Sequence, residues 1–243
     1  MSLLEAQSIC RAFGGIQALD ACSMSVEQGT ITGLIGPNGS GKTTLFNVMT
    51  GYERVDSGHI CFQGQRITNK TPDSVFHLGI GRTFQLTRVF SRLTVLENMH
   101  VAVQRNNVKG LFSRWSSIHE QQRALELLEF VGLQALKDQS AGTLSFGQKK
   151  LLEFAFVLIA EPRVILLDEP VGGVNPSMIN YLADRIRTLN ERGVTFLVVE
   201  HNMEFVMELC HKVMVMHRGT KIAEGTPKEV RSSPAVLEAY LGD

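Results

Sequence analysis

Gly36-Pro37-Asn38-Gly39-Ser40-Gly41-Lys42-Thr43 follows directly on the compact apolar run Ile31 to Ile35, and that pairing decides the fold. It is a complete Gly-x-x-x-x-Gly-Lys-Thr loop placed after a strand-like segment. Glycines at this spacing let successive backbone N–H groups point into one concavity, and the helix that follows adds the positive end of its dipole. Lys42 can then reach the β and γ phosphates of a nucleotide, and Thr43 can hold Mg²⁺ through its hydroxyl. Gly36, Pro37, Asn38, Gly39, Ser40, Gly41, Lys42, Thr43 and Thr44 are therefore the expected cradle for ATP.

Further along, the buried-looking run Val164-Ile165-Leu166-Leu167 delivers Asp168-Glu169-Pro170 to the carboxyl end of a strand, the edge where α/β sheets bind ligands. Asp168 is expected to bind Mg²⁺, directly or through water. Glu169 is placed to orient or deprotonate the water that attacks the γ-phosphate. Alone, such a run is equally the approach to a helix N-terminus, where acids are favoured. Beside a phosphate loop the catalytic reading prevails. The interval from Lys42 to Asp168 exceeds what a simple βαβ unit needs, so a sizeable insertion separates them.

Two apolar runs without alternation, Val164 to Leu167 and Thr195 to Val199, read as parallel strands buried on both faces. Pro176 to Asn190 between them suits a crossover helix with Pro in its first turn. The order implies an α/β parallel core. The N-terminal third alternates instead, near Leu4 to Ile9 and Cys22 to Val26, and reads as antiparallel. In the middle third, Ala124, Leu125, Leu127, Leu128 and Val131 share one face of a helix over Glu120 to Val131, and a second helix is expected after Ser145.

Composition narrows the function classes. Among 243 residues, Lys plus Arg number 24 and Asp plus Glu 24, so no overall basic field draws nucleic acid, and none is expected as a partner. The longest apolar stretch, Leu151 to Ala160, is interrupted by Glu153 and is far short of the ~20 residues that span a bilayer. Met1-Ser2-Leu3-Leu4-Glu5 lacks the basic and apolar regions of a secretory signal, so a cytoplasmic location is expected. Cys10, Cys22, Cys61 and Cys210 are scattered, which fits reduced thiols rather than a zinc site.

Inside the insertion stands Leu144-Ser145-Phe146-Gly147-Gln148, which resembles the signature motif of ATP-binding cassette (ABC) ATPases, with Phe146 where the general form has a second glycine. Gln85, closing Gly81-Arg82-Thr83-Phe84-Gln85, resembles the Q-loop of that family. His201 after Glu200 resembles the H-loop, and Phe13 matches the aromatic that stacks on adenine. The resemblance spans essentially the whole chain. It implies a RecA-like P-loop NTPase core with an N-terminal antiparallel β subdomain, at about residues 1–86 and 160–243, and an inserted helical subdomain at about 87–159. It further implies that Gln85 senses the metal and the γ-phosphate, and that His201 donates to that phosphate as charge develops. Ser145, Gly147 and Gln148 would serve the ATP held on a second chain's P-loop. The working unit would then be a head-to-tail pair sandwiching two ATPs, and Leu86 to Leu96 would press against a membrane partner.

Several segments look alike in one subgroup: Phe146; Gly172-Gly173-Val174-Asn175-Pro176, with Asn175 where the general D-loop has Asp; Phe13 to Leu19; Gly81 to Gln85; Val199 to Met207; and Glu238-Ala239-Tyr240-Leu241-Gly242. They resemble the ATPase subunits of branched-chain (hydrophobic) amino acid importers. Urea-type and lipopolysaccharide-export ATPases share much of the pattern, and an iron–sulfur assembly ATPase is close in size. A P-loop GTPase is disfavoured, because Asn69-Lys70-Thr71-Pro72 puts Pro72 where guanine reading requires Asp. The resemblance implies as partners a second ABC ATPase, identical or paralogous, and two integral membrane permeases. It also implies a peripheral place on the inner face of the cell membrane and no direct contact with the transported solute.

Overall fold

The computed structural model describes residues 1–85, 87–104 and 118–241. Leu86 of the expected membrane-facing segment and Gly242 of the closing motif lie outside the described residues. Two sheets organise the chain. A four-stranded antiparallel sheet, in the order β2-β1-β4-β5, is built from β1 (Ser2–Phe13), β2 (Ile16–Glu27), β4 (Ser57–Phe62) and β5 (Gln65–Arg66). A six-stranded sheet contains β3 (Ile31–Ile35), β6 (Ile80–Arg82), β7 (Val164–Asp168), β8 (Thr195–Val199), β9 (Lys212–His217) and β10 (Thr220–Gly225), in the order β10-β9-β3-β8-β7-β6. Its strands pair in parallel except for β10, which hairpins back on β9.

The unalternating strands are buried throughout, yet the two-residue period of the backbone still sorts their side chains. Ile31, Ile35, Ile165, Leu167, Phe196 and Val198 join a core shared with the helices of the middle third and the crossover helix. Leu34, Val164, Leu166, Leu197 and Val199 point the other way, into a core with the antiparallel sheet and α1 (Lys42–Met49).

β1 and β2 are longer than the alternation indicates. Ser8 and Ala21 adopt positive φ, 48° and 44°, and the pairing register slips near each of them, so the in–out pattern resets mid-strand. The helix expected over Glu120 to Val131 is α4 (Ile118–Phe130), and Gly132 at φ 72° ends it. With α3 (Val95–Gln104) it packs on α5 (Phe146–Leu158), the helix expected after Ser145. The crossover helix is α6 (Pro176–Glu191), which buries Leu182, Ala183, Ile186 and Leu189 along one stripe. Cys22 and Cys210 are buried, Cys10 and Cys61 half-buried, and all four are free thiols. Among the described residues no helix is long and apolar enough to cross a membrane.

Candidate functional site

β3 is central in its sheet and ends at Gly36, so the glycine loop leaves the carboxyl edge between β8 and β9. Glycine is required at both ends of that loop. A methyl at Gly36 would lie 2.2 Å from the carbonyl oxygen of Met216, and one at Gly41, φ 100°, would lie 2.5 Å from that of Ala18. Gly41 is also the N-cap of α1 and supplies no side-chain acceptor, so the first N–H groups of the helix remain available to an anion. The loop is braced from outside: Gly219 N–H donates to Ser40 O, and Asp20 N–H donates to Gly219 O, both at 3.0 Å.

Lys42 is buried, and its Nζ donates at 2.8 Å to the carbonyls of Gly36 and Pro37. Burial lowers its pKa, and the charges of Glu169 and Asp168 pull it back up. Thr43 is exposed on the first turn of α1 and Thr44 half-buried.

Opposite the loop, Glu169 leaves β7 at φ 48°, a left-handed conformation rare for an acidic side chain and typical of functional turns. Its carboxylate is shared. Gln85 Nε2 donates to Oε2 at 2.8 Å, and His201 Nε2 lies 3.2 Å from Oε1. Three residues from separate elements, each expected from the sequence, thus meet on one carboxylate.

Asp168 is less free than its position at the strand end indicates. Arg82 Nη2 donates to its Oδ2 at 3.0 Å, both side chains being buried, and Arg82 Nη1 also holds Asn47 and Thr50. The guanidinium sits among the rings of Phe46, Tyr52 and Phe84. Asp168 therefore keeps Oδ1 as its outward acceptor. The Thr43 hydroxyl, the remaining Asp168 oxygen and the Gln85 amide oxygen, left by Nε2 pointing at Glu169, are oxygen donors only. That set fits Mg²⁺, which takes one or two carboxylates and completes its shell from phosphate and water. Among the described residues no His, Cys, Asp or Glu cluster of another metal's type exists.

The signature residues face elsewhere. Ser145 caps α5 in a reciprocal box with Gln148, Oγ accepting from Gln148 N–H at 3.2 Å and Gln148 Oε1 from Ser145 N–H at 2.9 Å. Ser145 keeps its own hydroxyl proton to donate. Gly147 packs on Met178 and Val174, not on residues 36–44. Asn175 caps α6 through Oδ1, leaving only its NH₂ to reach outward. Phe13 ends β1 with an exposed ring, and Arg11, tied to Asp56 and Glu53, covers one face at 4.5 Å. One face is left for a flat ligand.

Sequence reasoning missed Arg82, Glu200, Lys150 and Glu153. Glu200 ends β8 buried and accepts the N–H groups of Val171, His201 and Asn202, tying the segment after Glu169 to the His201 turn. Burial raises its pKa against those three donors. Lys150 and Glu153 lie on α5 and bond to the backbone around Gln85. Burial pushes the Glu153 carboxyl from 4.5 up to about 7, while the Phe84 amide and Lys150 pull it down.

A raised carboxyl means the folded state holds its proton more tightly than the unfolded chain. The stability this gives is complete below 4.5 and is lost as pH rises to about 7. Glu153→Gln is therefore expected to gain on the wild type by on the order of 3 kcal/mol across that window. Thermal midpoints of the two proteins that stay parallel with pH would contradict this account.

A family model described as "ABC transporter" matches residues 19–172, and one described as "Branched-chain amino acid ATP-binding cassette transporter" matches residues 220–243. A probable branched-chain amino acid transport ATP-binding protein LivG of Archaeoglobus fulgidus is 40% identical, over all of this chain and 96% of that protein. The high-affinity branched-chain amino acid transport ATP-binding protein BraF of Pseudomonas aeruginosa is 37% identical, over 99% and 98%. Among solved structures, a nucleotide-free ATP-binding cassette from an ABC transporter superposes with a TM-score of 0.91 at 38% identity, each chain covered in full. A cassette in its ADP conformation gives 0.90 at 38%, again over both full chains.

Proposed function

The chain belongs to the ABC transporter family of ATPases, and from that premise we propose that it is the motor subunit of an importer for branched-chain or other hydrophobic amino acids. The observation that carries the motor role is the meeting of Gln85 and His201 on Glu169, across from an uncapped glycine loop. In this reading the loop from Gly36 to Thr44 binds the phosphates of ATP, and Phe13 offers its open face to the adenine. Thr43, Asp168 and Gln85 hold Mg²⁺, whose chemistry when bound is to neutralise phosphate charge. Glu169 takes the proton of the attacking water, and His201 and Lys42 donate to the γ-phosphate.

One chain is half a site. Because Gly147 packs on Val174 and Met178 while Ser145 and Gln148 form the cap of α5, we infer that they complete the site of a second cassette, identical or paralogous, in a head-to-tail pair. Residues 1–86 and 160–243 would form the core of a single cassette and 87–159 its helical arm. Between them, Tyr52, Phe76, Phe84, Phe90 and Phe156 line a groove of about 280 Å³ beside the Gln85 segment. That groove and the segment up to Leu96 are the proposed seat for the membrane permeases, with the chain peripheral on the cytoplasmic face and the solute handled elsewhere.

The relatives' names carry the choice of solute, and reconstitution tests it. In vesicles containing this chain, its cassette partner, two permeases and a binding protein, ATP is expected to drive uptake of leucine and not of urea. Hydrolysis that ignores permeases and loaded binding protein, with no co-purification of membrane proteins, would defeat the transport reading.

A further inference from the structure

Phe84, Gln85 and Arg88 lie in no helix or strand, and their backbone finds partners on two buried side chains of α5. Lys150 Nζ donates to the carbonyls of Gln85 at 2.9 Å, Glu169 at 3.2 Å and Phe84 at 3.4 Å. The ammonium has three protons and three carbonyls, drawn from both catalytic segments. Three residues on, and so on the same face of the helix, Glu153 Oε1 accepts the N–H of Phe84 at 3.2 Å and of Arg88 at 3.4 Å. Both side chains are buried, 7% and 4% exposed, so these bonds are not exchanged for water. Ser145, the proposed contact to the other chain's ATP, caps the same helix five residues before Lys150.

We propose that Lys150 and Glu153 are the positioning pair of the reaction, clamping the Gln85 segment and the Glu169 turn to the signature helix. A displacement of α5, such as docking its N-terminus against a second chain's nucleotide, then moves Gln85 and the Glu169 carboxylate with it. Gln85 is bonded to that carboxylate from one side while Lys150 holds the backbone of both residues from the other, so the geometry around Glu169 follows the helix. Neither side chain touches substrate. This inference rests on the reading of Gln85 and Glu169 as catalytic.

The two roles separate in kinetics. In the assembled complex, with rates expressed per titrated ATP site, Lys150→Met and Glu153→Leu are expected to lower kcat by about tenfold or more with KM for ATP changed less than about twofold. Lys150→Arg and Glu153→Gln, which keep the donors and the acceptor, should recover kcat to within about threefold of wild type. A merely structural pair would lose titratable sites while each remaining site turned over normally, and that result overturns the proposal. So would a KM that rises in step with the fall in kcat, or conservative variants no better than the apolar ones. Glu169→Gln, measured alongside, separates the layers: near-normal turnover there removes the underlying site reading, whereas its loss beside a normal Lys150→Met removes this inference alone.

Discussion

Glu169→Gln is expected to bind ATP as tightly as the wild type, to lose turnover by about 10²- to 10⁴-fold, and to accumulate as ATP-bound pairs of chains. The carboxamide is the same size and keeps an oxygen for the Gln85 Nε2 donor at 2.8 Å, so the surroundings of the site persist. It has no appreciable basicity and cannot take a proton from water. The backbone at φ 48° is equally strained with either side chain, and the N–H of residue 169 still bonds Val199 O. Binding and closure are thereby separated from chemistry. Rapid-quench hydrolysis, nucleotide calorimetry and sizing with ATP form one measurement set. Turnover within a few-fold of wild type would take Glu169 out of the role of base.

Lys42→Ala is expected to fail a step earlier. With ATP bound, the ammonium would exchange loop carbonyls for phosphate oxygens, and charge-assisted bonds of this kind are each worth about 1.5–3 kcal/mol. Nucleotide affinity should therefore fall by roughly ten- to more than a hundredfold. The variant also strands the Gly36 carbonyl, which Lys42 Nζ now satisfies, and leaves that of Pro37 with the Ser40 N–H alone. Some loss of thermal stability in the nucleotide-free protein should accompany the loss of affinity. Calorimetry showing unchanged ATP binding would overturn the phosphate-cradle reading from which everything else proceeds.

How far the sequence reached depended on whether a residue's task shows in its neighbours along the chain. The glycine loop does, because a strand, fixed glycines and a following helix sit in one short window. So does the Asp168-Glu169 edge, delivered by four buried apolar residues. Gln85 and His201 were legible only through resemblance, since nothing local distinguishes a lone amide or imidazole from a surface group. Arg82, Lys150 and Glu153 were illegible. A charged residue in a strand or helix ordinarily reads as a solvated face, and these three are buried by contacts from 65 to 86 positions away. The short strand β6, only Ile80–Arg82, offered no period to detect. The β9–β10 hairpin was overlooked because its turn is Arg218-Gly219, with both φ positive, in place of the familiar Asn-Gly.

The bracing of the glycine loop makes the phosphate side the fixed side of the site. Met216 abuts Gly36, Ala18 abuts Gly41, and Gly219 bonds Ser40, so the phosphate side is anchored to both sheets at once. Across from it, the backbone of Phe84, Gln85 and Arg88 is held by two side chains of α5. An engine with one jaw fixed in the frame and the other slung from a lever delivers its travel on the lever's side alone. On the proposed cycle, travel of α5 would therefore be felt first by whatever is seated against the Gln85 segment.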